Sequence, residues 1–174
     1  MIDWYYWRVK LYNIHTNRKV SGKGQDTMKI AIGSDHRGFK AKESIKEFLK
    51  TAGHSADDFG AFSEESADYP DFAFKVGKSV VSGENDFGIL ICGTGIGMSI
   101  SVNKIPGVRG VVCRNIFEAQ RSRQHNNANI LCLGADTTDL SQTVLIIGSF
   151  LETRFVGGRH QRRLDKITEM ERPF

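Results

Sequence analysis

The sequence predicts an α/β fold, a three-layer α/β/α arrangement in which helices cover both faces of a five-stranded parallel sheet, with an extra helix at the C-terminus. Three observations predict it. Short strand-like runs recur at residues 29–33, 55–59, 87–92, 108–113 and 129–134. Segments with helical periodicity fall between them, and strand alternating with helix is the mark of parallel strands joined by crossovers. Finally, Phe87-Gly-Ile-Leu-Ile-Cys92 is an apolar run that stops on a cysteine and turns at once into Gly93-Thr-Gly-Ile-Gly97. A glycine-rich turn at the carboxyl end of a strand is where such sheets receive ligands.

Each element has its own signal. Met28-Lys-Ile-Ala-Ile-Gly33 opens the first strand cleanly, so the domain is read as residues 28–174. Residues 1–27 are then an N-terminal extension, disordered or contributed by an upstream start. In the first helix, about 39–51, Phe39, Ile45, Phe48 and Leu49 make one apolar stripe and Gly53 terminates it. The second begins around Pro70, since proline suits a first turn, and ends near Gly83. A third follows the glycine turn, a fourth covers about 115–126 with Asn127 as C-cap, and a fifth about 140–155. Beyond Gly157-Gly158, residues 159–171 carry only Leu164, Ile167 and Met170 at helical spacing, a narrow stripe that suits either docking on a partner subunit or a solvated helix on its own domain. Wound in the flavodoxin-like order 2-1-3-4-5, the sheet makes strands one and three neighbours, so the turns after them open into one cleft.

Composition excludes several classes. Hydrophobic residues at 40% and charged residues at 25% are ordinary globular values. No apolar run approaches the roughly 18–20 residues of a membrane span, so a soluble protein with no membrane partner is expected. The net charge of +4 is concentrated ahead of Met28, where Arg8, Lys10, Arg18, Lys19 and Lys23 outnumber Asp3 and Asp26. The remainder lacks the basic footprint of a nucleic-acid binder. That early segment holds both tryptophans yet no apolar stretch of the signal-peptide kind. Cys92, Cys113 and Cys132 are odd in number and lack ligand-pair spacing, which argues against a disulfide framework and a zinc site. Reduced thiols in strands fit a cytoplasmic protein.

The chemistry-bearing residues gather at the turns. Cys92 stands where a helix begins, and the partial positive charge there favours a thiolate, a base or nucleophile near neutral pH. A strand-end cysteine is otherwise a small buried hydrophobe. Gly93, Gly95 and Gly97 fit neither dinucleotide-binding nor P-loop spacing, so the turn reads as an anion site. After strand one come Asp35 and His36, bulky polar side chains suited to sugar hydroxyls, with Ser34 or Asp35 also suited to cap the helix. Gln120-Arg-Ser-Arg-Gln-His125-Asn126-Asn127 is polar throughout; His125 and Asn126 fall at its end, where a histidine can exchange protons. Arg159 and Arg163 are four apart on one helical face and repel each other unless an anion joins them, and phosphate suits their fork geometry.

Asp35-His36, the Cys92 to Gly97 turn, Ser122-Arg-Gln-His125-Asn126 and Gly157-Gly-Arg-His-Gln-Arg-Arg163 together resemble the ribose 5-phosphate isomerase B family, relatives of galactose 6-phosphate isomerase. The resemblance runs from Met28 almost to the C-terminus. It implies a Rossmann-like homodimer, or a tetramer built from it, with active sites shared across the subunit interface. It implies interconversion of ribose 5-phosphate and ribulose 5-phosphate in the pentose phosphate pathway, with no cofactor and no metal. By position it makes Cys92 the base between C2 and C1, with the amides of Gly93, Gly95, Ile96 and Gly97 and the Thr94 hydroxyl around the enediolate oxygen. His125 would open the sugar ring, Asp35, His36 and Asn126 would hold the sugar, and Arg159 and Arg163 the phosphate.

One position departs from the family. After Leu133-Gly134-Ala135 many members carry an arginine that helps bind phosphate, and this chain has Asp136. A carboxylate there either turns away from the dianion or marks a different preference, which keeps a hexose 6-phosphate substrate open. A non-catalytic sugar-phosphate-binding paralogue has only Asp136 in its favour. A phospho-receiver would need an aspartate at the end of strand three, where Cys92 stands.

Overall fold

The computed structural model describes residues 27–171, so the reading of residues 1–26 lies outside the described residues. The strands are β1 (Lys29–Ser34), β2 (Ser55–Asp58), β3 (Phe87–Cys92), β4 (Gly110–Val112) and β5 (Ile130–Gly134). The helices are α1 (Phe39–Thr51), α2 (Tyr69–Val81), α3 (Ile96–Val102), α4 (Ile116–Asn126), α5 (Leu140–Glu152) and α6 (Arg159–Met170). All strand pairs are parallel.

Ile45, Phe48 and Leu49 of α1, Ala119 of α4 and Ile146, Ile147 and Phe150 of α5 cover one face, against Ile32, Ile89, Leu131 and Leu133. Ala73 and Val76 of α2 with Met98 and Val102 of α3 cover the other, against Ala31, Leu90 and Cys132. A side chain such as Ile89 or Leu131, fully removed from water, contributes about 1.5–3 kcal/mol. No helix of the described residues is long and apolar enough to cross a membrane.

The strand order is β2-β1-β3-β5-β4, not 2-1-3-4-5. Burial and crossover handedness account for the exchange. All five residues of β5 are buried, so it needs a partner on each side, whereas the three residues of β4 are half-buried and suit an edge. Moves from β2 to β3 and from β3 to β4 run one way along the sheet and use α2 and α3 on one face. Moves from β1 to β2 and from β4 to β5 run the other way and use α1 and α4 on the opposite face. Right-handed crossovers require that correspondence. With β5 outside β4, the same rule would place α4 beside α3 instead of beside α5. The expected neighbourhood of β1 and β3 is unaffected, with Ser34 level with Ile91.

Boundaries differ by a few residues. β4 is shorter than 108–113 because the Arg109 N–H donates to the Asn129 side chain at 2.7 Å instead of joining the ladder. The fifth helix stops at Glu152, where Thr153 turns extended and its carbonyl accepts from Arg123 Nε at 3.3 Å. Asn127 caps α4 in the left-handed conformation at φ 44°, as its type favours.

Candidate active site

The loops after β1 and β3 meet at the carboxyl edge of the sheet. The Asp35 N–H donates to the Ile91 carbonyl at 3.1 Å, which fastens the first loop to the strand that carries Cys92. Neither Ser34 nor Asp35 is the N-cap of α1; that position is Gly38, which has no side-chain cap. Asp35 instead closes the preceding turn, its Oδ1 accepting from the Gly38 N–H at 3.0 Å. Glycine is needed there because a Cβ would lie 2.7 Å from the Ile91 carbonyl oxygen. His36 Nδ1 stands 3.3 Å from both the amide nitrogen and the carbonyl oxygen of Ala67, so the segment before α2 orients the ring in either tautomer.

Cys92 is buried, and its Sγ accepts from the Gly95 N–H at 3.1 Å. Gly95 makes that contact from φ 76°, and a Cβ on it would press within 3.0–3.2 Å of the Leu133 backbone. Two constraints therefore require glycine at one position. Thr94 is exposed beside it, its hydroxyl accepting from the Ile96 N–H at 3.4 Å. The other cysteines are unsuited to proton transfer: burial pushes Cys113 up to about 11, and complete burial pushes Cys132 up as well.

Tyr69 was not expected here. Its ring lies where a Cβ on Gly97 would come, 2.9 Å away, so it walls the turn from the side of α2. Arg37 was not expected either. Its Nε and Nη2 donate to Asp136 Oδ2 at 3.1 and 2.5 Å, and the pair lies over Gly93. Asp136 thus neither turns away nor stands as a bare charge; it is bound to a guanidinium.

The remaining residues form a second group. α4 runs back from the carboxyl edge, so His125 and Asn126 end beside the start of β5, where the Gly88 N–H donates to the Asn129 carbonyl. Cys92 is level with Gly134 at the far end of the same strand pair. The two groups are thus the length of β3 apart, about 13 Å from Gly88 to Cys92 at the usual rise. One chain does not bring Cys92 and His125 together.

Around His125, α6 supplies the neighbours. The rings of His125 and His160 stack with centroids 4.2 Å apart and planes 5° from parallel. Burial, then His125 and the Arg159 and Arg163 guanidiniums, hold the His160 imidazole below its ordinary value. Arg159 and Arg163 are exposed, and neither pairs with a carboxylate among the described residues. They are cations four residues apart with an open face.

A family model described as Ribose/Galactose Isomerase matches residues 30–167. Ribose-5-phosphate isomerase B of Escherichia coli (strain K12) is 46% identical over 143 residues, covering 82% of this chain and 96% of that protein. Among solved structures, ribose-5-phosphate isomerase B of Clostridium thermocellum matches with a TM-score of 0.82 at 51% identity, over 83% of this chain and 97% of that one. The Mycoplasma genitalium counterpart, solved with bound ribulose-5-phosphate, matches with a TM-score of 0.79 at 43% identity, over 82% and 95%.

Proposed function

Because this chain belongs to the ribose/galactose isomerase family, we propose that it interconverts ribose 5-phosphate and ribulose 5-phosphate, with Cys92 as the base. The observation that carries the reading is the Gly95 N–H directed at Cys92 Sγ, in a turn that leaves the Thr94 side of the site open. A positioned thiol at the carboxyl edge, beside Asp35 and His36, suits proton abstraction next to a carbonyl.

The step runs as follows. The ring opens to the free aldehyde, with His125 accepting the hydroxyl proton and returning one to the ring oxygen. The Cys92 thiolate takes the proton from C2, leaving an enediolate; the O2 hydroxyl proton then passes to O1, and the thiol returns its proton to C1 as the carbonyl forms at C2. Backbone N–H groups of Gly93, Gly95, Ile96 and Gly97 and the Thr94 hydroxyl offset the charge on the enediolate oxygen. Asp35, His36 and Asn126 bind sugar hydroxyls. Arg159 and Arg163 hold the phosphate, which does not react.

The separation of Cys92 from His125 supports a homodimer in which each site takes His125, Asn126, Arg159 and Arg163 from the opposite subunit. Exposed Ile96, Ile100 and Phe117 support a partner docked near the carboxyl edge, since Ile96 and Phe117 stand in the first turns of helices that begin there. The reaction belongs to pentose phosphate metabolism, and the three free thiols fit a cytoplasmic setting. With its carboxylate bound to Arg37, Asp136 no longer argues for a six-carbon substrate. Turnover of ribose 5-phosphate should exceed that of hexose 6-phosphates without added metal. An enzyme that turns over only the six-carbon sugars, or neither, refutes the reading.

A further inference from the structure

We propose that Arg37 is a specificity-determining residue that grips the substrate phosphate and that Asp136 positions it; the proposal rests on the sugar-phosphate reading above. Arg37 follows β1 and Asp136 follows β5, and they meet over the turn that follows β3. The nearest atoms to a Cβ built on Gly93 are Asp136 Oδ2 at 2.7 Å and Arg37 Nε at 2.9 Å. A guanidinium therefore lies one residue from Cys92, at the rim of the site.

The hydrogen bonds leave room for a second anion. A guanidinium presents two forks, one from Nε and Nη2 and one from the two terminal nitrogens. Asp136 takes the first through a single oxygen, and Nη1 has no hydrogen bond among the described residues. Side-chain exposures of 59% and 44% mean that the pair does little for stability by itself. What Asp136 does is fix the rotamer of a long side chain, so the free fork is set before the ligand arrives. The other acid of this rim, Asp35, already accepts from Gly38 through Oδ1. A phosphate approaching the turn meets an oriented cation in place of the bare carboxylate that the sequence implied at position 136.

The test uses the full chain and two readouts, steady-state kinetics with ribose 5-phosphate and calorimetric titration with inorganic phosphate. Arg37→Gln keeps an N–H donor for Asp136 and removes the charge. Its KM and its Kd for phosphate should both rise roughly tenfold, with kcat changed less than about twofold, since a group that does not react is bound alike in ground and transition states. Asp136→Asn keeps the cation and loosens it, so both constants should rise by less. Wild-type KM and phosphate affinity in Arg37→Gln would overturn the proposal. So would equal changes in the two variants that track an equal fall in Tm, the mark of a structural clasp. The phosphate titration needs no turnover. A chain that binds phosphate through Arg37 but does not isomerise ribose 5-phosphate would sink the isomerase reading alone.

Discussion

Two inactive variants should restore activity when mixed, and geometry fixes how much. Cys92→Ala removes the proposed base and His125→Ala the proposed ring-opening group, and each alone should cost on the order of 100-fold or more in turnover. Cys92 is level with Gly134 at one end of the β3–β5 pair, whereas His125 precedes the strand partner of Gly88 at the other. If each site draws Cys92 from one subunit and His125 from the other, a mixed dimer holds one site with both substitutions and one with neither. Random pairing of equal amounts makes half the dimers mixed, so about a quarter of all sites are intact.

The assay is subunit exchange by unfolding and refolding the two variants together, with different affinity tags so that the mixed dimer can be isolated. Purified mixed dimer should show about half the wild-type turnover per dimer. Thermal melts of the single variants should stay near wild type, because Cys92→Ala removes one small side chain and His125 is only half-buried. Isolated mixed dimers no more active than the parents would refute the reasoning and leave His125 with a role outside the reacting site.

His125→Ala should lose far more turnover on the cyclic sugar phosphate than on an open-chain analogue, and equal losses would assign the residue to binding or structure. Truncation after Gly158 removes Arg159, Arg163 and the buried Leu164 together. It should yield monomer in light scattering and fail to saturate with substrate, so a truncated chain that stays dimeric with normal KM would refute the shared site. Asp58→Asn tests the support beneath the first loop, where Lys42, fully buried, reaches Asp58 at 2.5 Å and Lys46 reaches it at 2.6 Å. Burial raises the Asp58 carboxyl, but hydrogen bonds from Lys42 and Lys46 outweigh it and hold the group below its ordinary value. A carboxyl lowered on folding lends stability above its unfolded value and loses it as pH falls through the folded one. Chemical denaturation should therefore show wild-type stability declining in acid, with the variant about 3 kcal/mol weaker at neutral pH and less sensitive to acid.

Much of the fold and one half of the site were legible because they are local. The stop on Cys92, the alternating glycines and the start of α3 lie within one strand-turn-helix unit, so sequence spacing alone placed the thiol at a helix start. Asn127 and Gly53 were legible as helix terminators for the same reason. Strand order was not, because it depends on which edges must be covered, and the full burial of β5 against the half-burial of β4 shows only in the assembled sheet. Arg37 and Asp136 are 99 residues apart and carry no shared motif. The unusual acid at position 136 was the available signal, and it pointed to a question whose answer lay on another loop. The contact of His36 with Ala67, 31 residues away, and the approach of Tyr69 to Gly97 are likewise set by how α2 lies on the sheet.

The exchange of β4 and β5 bears directly on the chemistry. As the crossover between two parallel strands α4 ends at the amino edge in either strand order, and because β5 sits between β3 and β4 it does so on the face that α5 also covers. That path carries His125 away from the cleft of its own chain. It also sets His125 against His160, between two arginines that find no carboxylate partner among the described residues. Two exposed guanidiniums beside a stacked imidazole pair are an electrostatic cost to an isolated subunit, and an anion relieves it. Each chain thus displays the Cys92 turn, the proposed proton-transfer site, at one edge and a cluster of cations without carboxylate partners among the described residues at the other. In the proposed dimer a two-fold pairing would bring one against the other, so the mixed-dimer experiment tests whether the chemistry needs two subunits.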